Sequence, residues 1–180
     1  MPNWCGGNVS VTGTKPNVIN FVNRFIHDED IVSGIHEGRC FARSFTNDSR
    51  QTALDDIAKV FDGMPDNTEH EFDFFVNFAW NAHYCIIDGY YIACDPDNCI
   101  TLDAACVEDQ VSVDILTEEC SEGFEEHITC DKTGRLISEN KDLLSYMCMD
   151  CGAEMSISSF TNPDEYECCE CGGSELESID

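Results

Sequence analysis

Four cysteines near the C-terminus carry the clearest chemistry in this chain. Cys148 and Cys151, in "CMDCGAEM", and Cys168 and Cys171, in "ECCECGGSE", form two Cys-x-x-Cys pairs sixteen residues apart, each followed by glycine. Such a turn offers two thiolates to one point, the glycine lets the chain fold back, and tetrahedral zinc takes four ligands of this kind. The spacing predicts a zinc site with Cys148, Cys151, Cys168 and Cys171 as ligands. Four protein ligands leave no position open for water, so the metal is expected to fold a segment too small for its own core rather than to catalyse. Cys169 is a spare thiol between two ligands, and the spacing selects Cys168 over it.

Other candidates for chemistry are sparse. The histidines are His27, His36, His70, His83 and His127. His83 lies two residues before Cys85, a spacing that on a strand turns both to one face, as a nucleophile and its base require. No orienting third group or oxyanion donor accompanies them. "CDPDNC", from Cys94 to Cys99, is a loop that could join a second metal site, yet no partner pair is evident. Phosphate-cradling glycine loops, serine elbows and paired-histidine helices are not found. No enzymatic activity is expected.

Charge is the other strong signal. The chain has 36 Asp and Glu against 9 Lys and Arg, a formal net charge of -27 over 180 residues. Residues 1 to 60 are nearly balanced, whereas no Lys or Arg lies between Lys59 and Lys132. Zinc modules often accompany basic proteins that grip nucleic acid, but this surface would repel nucleic acid and attract a basic protein. The clusters expected to bind that partner are Glu69, Glu71 and Asp73 on one strand, spaced roughly 7 Å apart by strand rise, and Glu118, Glu119, Glu122, Glu125 and Glu126 around one hairpin.

Hydrophobic residues at 42%, eleven Phe among them, argue for a folded chain rather than a disordered acidic one. The opening "MPNWCGGNVS" has neither a basic start nor an apolar stretch of leader length, and no apolar run is long enough to span a membrane, so a cytosolic location is expected. The nine cysteines outside the zinc set are expected as reduced, small apolar residues.

The elements that must position these groups follow from periodicity. "NVSVTG" reads as a strand, "TKPNVINFVNRFI" as a helix with Pro16 in its first turn and Val18, Val22, Phe25 and Ile26 on one face, and "GRCFARSFT" as a second strand. "TALDDIAKVFDGM" predicts a helix capped by Thr52, with Leu54, Ile57, Ala58 and Phe61 as its stripe. "EHEFDFFVNFAW" is the clearest strand, with Phe72, Phe74, Val76, Phe78 and Trp80 on a buried face and Glu69, Glu71 and Asp73 opposite. "ITLDAACVED" predicts a short helix; "VSVDILTEE", "GFEEHITCD" and "GRLISE" predict a closing meander. The order favours an α+β fold, helices on one face of a mainly antiparallel sheet.

The opening "MPNWCGGNVSVTG" resembles the start of a phage and plasmid family known as Api92-like proteins. "FDFFVNFAWNA" and "ILTEECSEGFEEHITCDKTG" are similar to later family patterns in the same order, so the resemblance spans roughly residues 1 to 138. "AWNAHY" departs from it, standing where a Ser-Pro-Pro turn is expected. The resemblance implies a ferredoxin-like fold on a mobile-element protein and implies no reaction; Trp4 and Cys5 are expected to plug the end of the first strand.

The expected organisation is a ferredoxin-like α+β domain over 1–139, a linker over 140–145 and a zinc-ribbon-like module over 146–180. The expected function is that of an acidic, phage- or plasmid-encoded inhibitor in the bacterial cytoplasm, imitating DNA in the basic groove of a host defence nuclease. An anti-CRISPR protein acting on a Cas9-type effector is the most concrete form. The alternative is a zinc-tailed adaptor or transcription-associated factor that docks on proteins without mimicry.

Overall fold

Alternation of period two builds the main sheet. In strand β3 (Glu69–Ala79), Phe72, Phe74, Val76 and Phe78 are buried while Glu69, Glu71, Asp73 and Phe75 are exposed. Strand β1 (Trp4–Thr14) alternates in the same way, with Cys5, Gly7, Val9, Val11 and Gly13 turned inward. Each buried Phe contributes about 2–3 kcal/mol over an exposed one, so the stripe fixes the register: a one-residue slip would put every ring in water. The computed structural model describes residues 4–25, 39–41, 44–46, 50–79, 81–87, 99–119, 123–157 and 166–179. Trp80 lies outside the described residues, as does Ile26.

Helix α1 (Lys15–Asn23) follows β1 directly, Pro16 in its first turn, and buries Val18, Phe21 and Val22. Strand β2 is short (Ser44–Phe45), and helix α2 (Arg50–Val60) precedes β3. A π-helical turn (His83–Ile87) and helix α3 (Leu102–Asp109) lead into strands β4 (Ser112–Glu119), β5 (Phe124–Cys130) and β6 (Leu136–Asp142). These six strands form one sheet in the order β2-β3-β1-β4-β5-β6, every neighbouring pair antiparallel. The helices contribute to a single core on one face of it, where Phe25 packs on Phe41 and Phe74 at centroid distances of 4.5 and 5.4 Å. The other face, carrying Glu71, Asp73, Asp114 and Phe75, is exposed.

Two polar joints brace this unit, one beside the core and one at an exposed turn. Arg24, just past α1, forms a two-pronged ion pair with Asp109 at the end of α3, 2.5 and 2.9 Å, and both side chains are largely buried. At the β5–β6 turn Asp131 Oδ1 accepts the Thr133 hydroxyl at 2.5 Å and the N–H groups of Thr133 and Arg135 at 2.8 and 3.1 Å, contacts that hold its pKa below the ordinary value. Gly134 takes the positive φ of 82° that the tight turn demands.

The second unit is a three-stranded antiparallel sheet in the order β8-β7-β9, made of β7 (Leu144–Cys148), β8 (Glu154–Ile157) and β9 (Leu176–Ser178). The fold is thus a mixed one with a mainly antiparallel sheet and a C-terminal cysteine unit. Residues 140–145 do not form the expected linker. Asn140, Lys141 and Asp142 complete β6, paired with Glu126, Glu125 and Phe124, and Leu144 already begins β7. The intervening Leu143 donates its N–H to Gly123 O at 2.8 Å, so the polar stretch is held by ladder bonds that its composition did not advertise.

Two helix details also differ from expectation. Helix α2 starts at Arg50, which places Thr52 inside the first turn rather than at the cap. Its buried residues are Ala53 and Ile57, continued by Phe61, while Ala58 is exposed, a stripe rotated by one position.

Candidate metal centre and the acidic surface

The two Cys-x-x-Cys segments fold into the same loop twice. In the first, Gly152 donates its N–H to Cys148 O at 2.8 Å and Cys148 donates to Ala153 O at 2.9 Å. In the second, Gly172 donates to Cys168 O and Cys168 to Gly173 O, both at 2.7 Å. Gly152 and Gly172 have φ of 75° and 74°, where a Cβ would strain the backbone, which explains the glycine after each second cysteine. Strand β7 feeds the first loop and pairs with the strand leaving each loop, which brings the two loops together.

Four sulfurs converge as a result. The Sγ atoms of Cys148, Cys151, Cys168 and Cys171 all lie within 4.8 Å of one another, with Cys148–Cys171 and Cys151–Cys168 each 3.6 Å apart. A metal holding four thiolates at about 2.3 Å in a tetrahedron separates them by about 3.8 Å, so the thiols are placed to hold a metal ion. Cys148 and Cys168 are buried, Cys151 and Cys171 exposed. The N–H groups of Cys171 and Glu170 pull the Cys168 thiol down to about 7. The Gly173 N–H pulls Cys171 the same way, but the Cys151 and Cys148 sulfurs outweigh it and push Cys171 up to about 12. Four thiolates this close repel one another and need a cation between them. Cys169 is exposed and outside the group, in line with the selection of Cys168.

The acidic residues divide sharply. Glu69, Glu71 and Asp73 share the exposed face of β3; Lys132 forms an ion pair with Glu69, and Ser10 donates to Asp73 at 2.5 Å. Across the sheet Asp114 and Glu118 of β4 and Glu139 of β6 face the same side. Glu125 and Glu126, expected to face a partner, are instead buried, Glu126 at 1% exposure. Alternation in β5 lines Glu126 up with Ile128 and Cys130 on the core face. There its carboxylate accepts the N–H of Ala82 at 2.7 Å and of His83 at 3.4 Å and the hydroxyl of Thr117 at 3.4 Å, capping the π-helical turn. The side chain of Glu119, at the end of β4, and the whole of Glu122 lie outside the described residues.

The remaining candidates are also resolved by their surroundings. His83 and Cys85 sit on a π-helical turn rather than a strand; His83 Nδ1 is 3.3 Å from Ser138 Oγ, while the buried Cys85 thiol donates to Ala79 O at 3.2 Å. Cys5, Cys85, Cys106 and Cys130 are core residues, while Cys40 and Cys99 meet across a parallel bridge. Cys94, Cys120, His27 and His36 lie outside the described residues, so most of "CDPDNC" does too. Cys5 is buried as expected, whereas Trp4 turns to the open face of the sheet and is 48% exposed. Among the described residues no helix is long and apolar enough to cross a membrane. No family model, curated protein or solved structure matches this chain.

Proposed function

We propose that the chain is an acidic inhibitor that occupies the basic nucleic-acid groove of a host defence nuclease, as a mimic of DNA. The observation that carries this reading is the open face of the six-stranded sheet, where Glu71 and Asp73 of β3, Asp114 and Glu118 of β4 and Glu139 of β6 stand on one rigid surface in a chain of net charge -27. Grooves that bind nucleic acid draw their affinity from phosphate charge, and carboxylates held on a sheet compete for the same Lys and Arg. The bacterial cytoplasm is where such a target works. An anti-CRISPR protein against a Cas9-type effector is the specific form, supported by the mobile-element resemblance of the opening motif.

Two structural assignments accompany this reading. Strands in the order β2-β3-β1-β4, with α1 between β1 and β2 and α3 between β3 and β4, support a ferredoxin-like unit in which α2 is an insertion and β5–β6 an extension. The four converging thiols support zinc in a ribbon-like module held by Cys148, Cys151, Cys168 and Cys171. Bound zinc would supply a cross-link between the two loops, a folding role rather than a catalytic one.

The test is inhibition of DNA binding and cleavage by a guide-loaded Cas9-type nuclease across a salt series. Inhibition that weakens steeply with salt, and is lost in Glu71→Lys with Asp73→Lys, is expected. Absence of any binding at low salt overturns the reading. A zinc-tailed adaptor is favoured by a different observation: Met149, 53% exposed beside the first loop, and Ile179, 45% exposed past β9. An adaptor keeps its partner through the charge reversal and loses it in Met149→Ser.

A further inference from the structure

Strand β3 is paired along all of Glu69–Ala79 on its β1 side, but among the described residues only Asn77 and Phe78 are paired on the other, by the two residues of β2. From His70 to Asp73 this outer edge borders a groove whose opposite wall is the C-terminal part of α2, with Asp56, Lys59 and Val60. A strand edge of this kind presents backbone N–H and C=O groups to any chain that can lie alongside. Proteins guard such edges with charge, and here the charge at alternate positions is negative. A second copy of this chain would bring its own acidic edge and be repelled; a basic strand would be drawn in.

We propose that the β3 edge takes an extended segment of a basic partner protein as an added strand, with Lys or Arg alternating with apolar residues. In an added strand alternate side chains fall beside Glu71 and Asp73 on the open face, at the separation of about 5 Å at which opposite charges pair. The residues between them turn to the other face, against the flank of Phe72 and Val60, the latter 36% exposed at the end of its helix. The charge of Lys59 on the groove's wall is offset by its ion pair with Asp56 at 2.7 Å. Main-chain bonds supply the affinity and the alternating side chains the selectivity, the division of labour in β-strand addition. The sign of the partner's charge rests on the reading above; the mode of docking does not.

The test titrates isotope-labelled full-length protein with a peptide of about seven residues, long enough to span the edge at strand rise, alternating Lys and Val. Saturable amide shifts in residues 56–60 and 69–74 are expected. The same peptide with alternate backbone amides N-methylated, or with its Lys and Val in two blocks, binds about tenfold more weakly. Val60→Arg, at an exposed helix end, weakens binding similarly while leaving the circular dichroism unchanged. Equal binding by the methylated or block peptide, shifts centred on Asp114 and Glu139, or no binding at all overturns the proposal. If alternation-selective binding appears but the nuclease is not inhibited, the mimicry fails and the edge stands; if the nuclease is inhibited equally by the Val60→Arg protein, the reverse holds.

Discussion

The carboxylate of Glu126 accepts the backbone N–H of Ala82 at 2.7 Å, so an acid on the core face of β5 closes the start of the π-helical turn. Burial raises its pKa above the ordinary glutamate value, more than the N–H bonds from Ala82 and His83 lower it. The folded state therefore holds this proton more readily than the unfolded chain. Its contribution to stability is greatest below the unfolded-state pKa and is lost as the pH rises through the higher folded-state one.

Glu126→Gln keeps an acceptor for Ala82 but cannot ionise. As the pH rises above the ordinary glutamate range its urea midpoint is expected to gain on that of the native protein, until the native carboxyl has ionised. Parallel midpoints across that rise would show that Glu126 titrates normally. Glu126→Ala, which strands the buried N–H, is expected to cost about 1–3 kcal/mol where the native carboxyl is protonated, a cost that shrinks as the pH rises.

The paired glycines after Cys5 differ in kind. A Cβ on Gly7 would lie 2.2 Å from Leu116 O and 2.6 Å from Thr117 Cα, backbone atoms of the adjacent strand that cannot give way. A Cβ on Gly6 would meet the ring tip of Phe75, a half-exposed side chain free to swing over the open face. Gly7→Ala is expected to cost about 1–3 kcal/mol in denaturant unfolding. Gly6→Ala is expected to stay within about 0.5 kcal/mol of the native protein.

Legibility followed periodicity. Glu69 to Phe78 announce a half-buried strand because only period two separates Phe72, Phe74, Val76 and Phe78 from the acids, and the cysteine spacing led to the four sulfurs that converge. Glu125 and Glu126 defy the sequence reading because acids are almost always exposed; for Glu126 the inward phase of β5 is already set by Ile128 and Cys130, whereas Glu125 is buried out of that phase. The buried role of Glu126 depends on Ala82, 44 positions away, and no local pattern carries that distance. The extension of β6 through Asn140, Lys141 and Asp142 was hidden for a related reason: an edge strand exposed on this scale has no apolar face to display.

Arg24 and Asp109 test whether a buried ion pair is worth its desolvation. Each is largely out of water, and together they pin the end of α1 to the end of α3. Arg24→Met alone leaves an uncompensated buried carboxylate and is expected to cost about 3–5 kcal/mol. Combined with Asp109→Leu, most of that loss should return, because two apolar side chains need no partner. A double variant as unstable as the single one would mean that Arg24 acts chiefly through its other contacts, Arg39 O at 2.9 Å and Glu108 at 3.1 Å.

Removing the metal should unfold one unit and spare the other. The main core draws its buried residues from Cys5 to Cys130, with Leu136 at its margin, and takes none from β7, β8 or β9. Those strands bury only Cys148 and Ile157, joined by Cys168, too little apolar surface to hold three short strands. Native mass spectrometry is expected to find a single zinc ion per chain, absent in Cys148→Ser and retained in Cys169→Ser. A strong chelator should collapse the amide signals of residues 144–157 and 166–179 while those of β1 to β5 keep their dispersion. Collapse of both sets together would mean that the Leu143–Gly123 bond and the β6 ladder couple the units more tightly than the separate cores imply.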